Sequence, residues 1–110
     1  MRLMLTSGLL FGAIAFSTLA HAGTAGEEQK AGMAAYWRLD FQTAKGQFQA
    51  AVDADPQSAA ALYYLGYTVY KIAEPKRPND PGKQAAAELF ARAYELDPTF
   101  TPGWGVRGRP

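Results

Sequence analysis

Residues 44–56, AKGQFQAAVDADP, return 42 positions later as residues 86–98, AAELFARAYELDP. In each block Ala, Phe and Ala recur at spacings of three and four, which places them on one face of a helix. An Asp-Pro pair then ends each block, because the residue before a proline is pushed out of the helical region. The sequence therefore predicts two equivalent helices, at roughly residues 41–54 and 83–96. The matched positions are Ala44, Phe48, Ala51 and Pro56 in the first block and Ala86, Phe90, Ala93 and Pro98 in the second.

A further helix is predicted ahead of each of these two. Residues 27–55 contain no proline and are rich in helix-forming residues, and Asp40 is a candidate cap, so we expect a first helix over about 26–38. Another is expected over about 58–73, starting at Ser58. Its core stripe consists of Leu62, Leu65, Val69 and Ile72.

Glycine and proline mark the parts of the chain that are not helical. Residues 74–82 hold three prolines and a glycine, and residues 101–110 are also rich in both. No alternating apolar run and no hairpin dipeptide predicts a strand. The expected fold is all-α: two helix-turn-helix units, four helices in total, followed by an irregular tail.

This pattern resembles the tetratricopeptide repeat, in which W-x2-L-G-x2-Y is followed by A-x3-F and then P over about 34 residues. The second unit matches it with Leu62, Leu65 and Gly66 and with residues 86–98, although Val69 stands in place of the Tyr. The first unit matches at Gly32 and over residues 44–56.

The first unit departs from the pattern at its start, where Glu28 and Ala31 stand in place of Trp and Leu. The resemblance implies a fragment of an α-α superhelix over residues 23–100. Its repeats would span about 25–58 and 59–100, and residues 74–82 would be an insertion. The alternative is a four-helix bundle in which the spacing is a coincidence.

Residues 1–22 have the features of a secretory signal peptide. Arg2 precedes an uncharged apolar stretch, and Ala20-His21-Ala22 is a small-x-small cleavage site. The alternative is an uncleaved membrane anchor, for which the stretch is slightly short. We expect cleavage after Ala22, no membrane span after cleavage, and a periplasmic or secreted protein.

The composition after residue 22 argues against several classes of function. Ten basic and ten acidic side chains balance, so there is no electrostatic basis for binding nucleic acid. No cysteine is present, and His21, the one histidine, lies in the signal. With no motif for a nucleophile, a phosphate loop or a metal, we expect no enzyme activity, no cofactor and no metal.

The repeat resemblance implies that the first helix of each unit lines a concave groove that takes a peptide or a partner segment. The residues it places there are Gln29, Met33, Tyr36 and Trp37 in the first unit and Tyr63, Tyr67, Tyr70 and Lys71 in the second. Independently of any family, Tyr63, Tyr67 and Tyr70 share a stripe at spacings of four and three. Tyrosines of this kind are frequent at binding hot spots. The alternative is that they pack against the first repeat or the tail, and that Lys71 is an ordinary solvated lysine.

Two questions stay open in the sequence. Residues 74–82 are either a recognition loop or a tolerated insertion. The end of the second unit is covered either by Phe100 and Trp104 folding back, by a second copy, or by a partner.

We therefore expect a scaffold that binds a peptide or partner protein in the cell envelope through its aromatic face. The alternative is an assembly subunit that is stable only as an oligomer or with its partner, since two repeats are few for a solenoid.

Overall fold

The computed structural model describes residues 24–104; the expected signal peptide and residues 105–110 lie outside that range. Within it the fold is all-α, with no strand and four helices whose bounds agree with the prediction to within two residues. The helices are α1 (Ala25–Trp37), α2 (Phe41–Ala54), α3 (Ala59–Ala73) and α4 (Pro81–Leu96). They pack as two helix-turn-helix pairs, α1 with α2 and α3 with α4, and α2 packs against α3 between the pairs.

Each helix begins at a capping side chain. Asp40 accepts a hydrogen bond from the Thr43 N–H at 3.2 Å, and Ser58 accepts one from the Ala61 N–H at 3.1 Å. At the start of α1, Thr24 and Glu27 each accept a hydrogen bond from the other's backbone N–H, which forms a capping box. These contacts satisfy amides that have no partner within the helix.

Helix α4 starts two residues earlier than the sequence predicted. Pro81 was expected to belong to the loop, but proline is well suited to the first position of a helix, where its missing N–H needs no partner. Asp80 caps the helix by accepting from the Gly82 N–H at 2.9 Å. The loop between α3 and α4 therefore spans residues 74–80.

Two glycines let the helices of each pair approach closely. A Cβ atom on Gly32 would lie 2.7 Å from the Phe48 ring, and one on Gly66 would lie 3.2 Å from Phe90 Cε1. A glycine–phenylalanine contact is thus present in both pairs.

The two pairs differ in what covers their second helix. Phe48 is fully buried and Val52 is 8% exposed because α3 packs over them. Their counterparts on α4 are more open: Phe90 is half-buried and Tyr94 is 38% exposed. The cause is that no further helix follows α4 within the described residues.

The segment after α4 folds back onto the helices, one of the outcomes the sequence left open. Asp97 caps the turn by accepting from the Thr99 N–H at 3.0 Å. Phe100 then packs against Tyr63, with ring centroids 5.5 Å apart, and Trp104 reaches Tyr36 of α1. None of the helices in residues 24–104 is long and apolar enough to cross a membrane.

Candidate functional site

Aromatic side chains of α1 and α3 form one continuous surface, which we call the aromatic surface. Tyr36 stacks on Tyr67 with ring centroids 6.1 Å apart, and this contact joins the two helices. Along α3, Tyr67 stacks on Tyr63 and on Tyr70, each at 6.2 Å. The members of the surface are Tyr36, Trp37, Tyr63, Tyr67 and Tyr70.

The residues that the repeat resemblance assigns to a groove differ in accessibility. Met33 is 4% exposed and Tyr36 is 7% exposed, so both are part of the core as the chain is folded here. Trp37, Tyr63, Tyr67 and Tyr70 are half-buried. The solvent-accessible part of the aromatic surface therefore comes mainly from these four half-buried rings.

The tyrosine stripe also has the structural role that the sequence left as an alternative. Tyr67 packs against Tyr36 of the first unit at 6.1 Å and against Trp104 of the tail at 5.3 Å. On another side of α3, Tyr63 packs against Phe90 of α4 at 5.2 Å. Helix α3 is therefore buried on several sides, which accounts for its apolar residues outside the Leu62 stripe.

Lys71 forms a salt bridge with Glu74, three residues later in the chain. Its Nζ atom lies 2.9 Å from Glu74 Oε1, and the hydrogen bond to Glu74 raises the pKa of Lys71. An exposed pair of this kind contributes little stability. The pairing partly neutralises the charge that a ligand carboxylate would have met.

Trp104 lies at the centre of the aromatic surface. Its ring centroid is 4.6 Å from that of Tyr36 and 5.3 Å from that of Tyr67, so it contacts both helices at once. The Trp37 Nε1–H donates a hydrogen bond to the Trp104 carbonyl oxygen at 3.2 Å. The tail thus covers part of the surface that the sequence assigned to a partner.

Tyr64 is a contact residue that the sequence reasoning missed. It is 3% exposed, and its hydroxyl accepts a hydrogen bond from the Gly103 N–H at 2.8 Å. Its ring also lies 4.7 Å from that of Trp104. The residue falls between the two stripes of α3, so periodicity gave it no role, although a buried tyrosine hydroxyl requires a polar partner.

Two phenols of the surface, those of Tyr36 and Tyr63, have a raised pKa. Burial raises the pKa of Tyr36, and the neighbouring Tyr67 raises it further. Burial also raises the pKa of Tyr63. At neutral pH these side chains therefore offer ring faces and hydrogen-bonding hydroxyls.

Open clefts on the described part of the molecule include one on α1 and one on α4. The first, about 280 Å³, lies beside the tail and is lined by Gly26, Gln29, Lys30, Met33 and Gly103. The second, about 510 Å³, lies between the loop and α4 and includes Pro78, Lys83 and Glu88. Residues 24–104 hold no cluster of three or more acidic, histidine or cysteine side chains that could bind a metal ion.

Comparison with known proteins does not assign the chain to a family: no protein-family model, no curated protein and no solved structure matches it.

Proposed function

We propose that this protein is a non-enzymatic scaffold that binds a peptide or a segment of a partner protein on its aromatic surface. The observation that carries the proposal is the convergence of half-buried rings from α1 and α3 into one continuous surface, joined by the Tyr36–Tyr67 stack. Large aromatic side chains give contact area at a low entropic cost and dominate binding energy at interfaces.

The arrangement of the helices supports a tetratricopeptide-like interpretation of this scaffold. The glycine–phenylalanine contact occurs once in each pair, at Gly32–Phe48 and Gly66–Phe90. The first helices of the two pairs, α1 and α3, both contribute to the aromatic surface. In that repeat the corresponding helices line the ligand groove.

The cell envelope is the proposed location of the scaffold. The support for export is in residues 1–22, with Arg2, an uncharged apolar stretch and the Ala20-His21-Ala22 site. Sequencing the N-terminus of the protein recovered from the envelope tests this, because cleavage after Ala22 leaves Gly23 as the first residue. A chain that retains Met1 contradicts it.

A displayed library of random peptides, selected on the immobilised protein, tests the binding function. We expect selected peptides to shift the NMR signals of the Trp37 indole N–H and the Tyr70 ring. Tyr70→Ala should weaken the binding of these peptides about fivefold to tenfold, since one hot-spot ring contributes about 1 kcal/mol or more. Tyr70 contacts Tyr67 alone among the aromatic rings of residues 24–104, so its removal should leave the fold intact.

Leu39→Ala is the matched control, because Leu39 is 61% exposed in the turn between α1 and α2 and lies outside the aromatic surface. It should bind the selected peptides as the wild type does. Peptides that bind both variants equally, or that shift signals elsewhere on the protein, would contradict the proposal.

A second function, an assembly subunit stable as an oligomer, is favoured by the open face of α4. Tyr94 is 38% exposed and Leu96 is 39% exposed, whereas the counterpart of Tyr94 on α2 is covered by α3. If this face joins copies, sedimentation should show an oligomer in the wild type and a monomer in Tyr94→Lys, with Leu39→Lys as the control. A folded wild-type monomer at all concentrations rules this function out.

A further inference from the structure

The tail packs on the aromatic surface as a bound peptide would. Residues 101–104 have no regular secondary structure, and Thr101 and Gly103 are exposed. Trp104 is half-buried and packs against the core residues Tyr36 and Tyr64, while the four helices also contact one another directly.

Two hydrogen bonds join the backbone of the tail to α1 and α3. The Gly103 N–H donates to the Tyr64 hydroxyl at 2.8 Å, and the Trp104 carbonyl accepts from the Trp37 indole at 3.2 Å. Backbone groups are present in any peptide, so these two contacts are available to a segment of another chain. They set the direction and the register of that segment on α1 and α3.

Within residues 101–104, the indole ring of Trp104 makes the ring contacts with the aromatic surface. It contacts Tyr36, Tyr64 and Tyr67 at centroid distances of 4.6, 4.7 and 5.3 Å. The preceding residue is less restricted, since a Cβ on Gly103 would meet only the Tyr64 hydroxyl, at 4.0 Å, which is an ordinary contact. The surface therefore accommodates a tryptophan ring and leaves room for a Cβ atom on the residue before it.

The cleft of about 280 Å³ beside Gly103 extends this site along α1. Gln29 and Met33, which the repeat resemblance assigns to the groove, both line it. A segment that follows the course of the tail thus has space next to it for a further side chain.

We propose that the aromatic surface is a docking site for an extended, tryptophan-bearing segment of another protein, and that the chain's own tail occupies it as a built-in competitor. This inference rests on the proposed binding function and names its ligand and its regulation. A tethered segment acts at an effective concentration on the order of 1 mM, so it weakens an external ligand without preventing its binding.

The test uses the peptide acetyl-Phe-Thr-Pro-Gly-Trp-amide, which has the sequence of residues 100–104. It is titrated by NMR into the wild type, into Trp104→Ala, and into a chain that ends at Pro102. Both variants keep Phe100, and neither changes a helix. We expect the peptide to bind both variants at least about fivefold more tightly than the wild type, as expected for release of a tethered competitor.

The control peptide has alanine in place of the tryptophan and should bind none of the three proteins. Equal binding of the tryptophan peptide to wild type and variants, or no binding to either variant, overturns the inference. So does unfolding of both variants, since the tail would then be a permanent part of the core. A contact between Trp104 and Tyr36 of different copies in a mixed isotope-labelled sample also overturns it.

Failure of this inference can be told apart from failure of the proposed function. If library peptides without tryptophan bind at Tyr70 and Trp37, and bind wild type and Trp104→Ala equally, the scaffold function stands and the competitor does not. If no peptide of any kind binds the aromatic surface in either variant, both fall.

Discussion

Gly32 shows how a single missing side chain sets the distance between two helices. The Phe48 ring is fully buried and lies against the backbone of α1 at that position. A methyl group there would need the ring to move, and a ring that is fully enclosed has little space to move into.

We predict opposite effects for two Gly→Ala substitutions. Gly32→Ala should destabilise the protein by about 1–3 kcal/mol, because its Cβ would overpack the core. Gly46→Ala should stabilise it by about 0.5–1 kcal/mol, since alanine is the better helix former and nothing lies within 4 Å of a Cβ there. Urea unfolding of both variants measures the difference.

The Gly46 variant serves as the control for helix propensity in this comparison. If Gly32→Ala is as stable as Gly46→Ala, then α1 does not approach the Phe48 ring as closely as described.

At the scale of the element, the helix boundaries depend on side chains that the sequence already identifies. Asp40 and Ser58 were expected as caps and both accept the predicted backbone N–H bond. The largest difference is at the start of α4, which lies two residues earlier than predicted, because proline occurs both in loops and at the first position of a helix.

The Asp40 cap should make stability depend on pH in the acid range. The Thr43 side chain and its backbone N–H lower the pKa of Asp40 in the folded state. A lowered folded pKa means that the stabilisation is present above the unfolded value and is lost as pH falls through the folded one. We predict that the melting temperature falls less between about pH 5 and about pH 2 in Asp40→Asn than in the wild type.

Asparagine is the right comparison because it can still cap the helix but does not titrate in this range. An identical pH profile for the two proteins would show that the charge of Asp40 does not contribute to the stability of α2.

At the scale of the whole molecule, the second helix pair is closed by a tail instead of another helix. Phe100 packs against Tyr63 at 5.5 Å and against Tyr94 at 6.1 Å, at the end that a third repeat would cover. A short irregular segment covers less area than a helix, which leaves Tyr94 and Leu96 exposed.

We predict that Phe100→Ala lowers the free energy of unfolding by about 1–2 kcal/mol, which is roughly half the effect of removing a fully buried phenylalanine. Thr101→Ala, at the exposed neighbouring position, should change it by less than about 0.5 kcal/mol. Thermal melting of the two variants is the measurement, and equal stability would mean that the tail does not support the helices.

The sequence by itself determined the helices and their pairing. Periodic apolar residues, caps and Asp-Pro stops are local signals, and the repeated Ala–Phe–Ala block specified which helices are equivalent. Spacing also grouped Tyr63, Tyr67 and Tyr70 on one stripe of α3, and the repeat resemblance implied that Tyr36 of α1 belongs with them.

Only the tertiary structure decided which of these rings are accessible and what lies on them. Burial of Tyr36 and Met33, and the contact of Trp104 with both α1 and α3, depend on residues far apart in the chain. Glycine and proline in the tail indicate that it is irregular but carry no signal of where it packs. Tyr64 acquires its role in the same way, because its hydrogen-bond partner, Gly103, is brought to it by the fold.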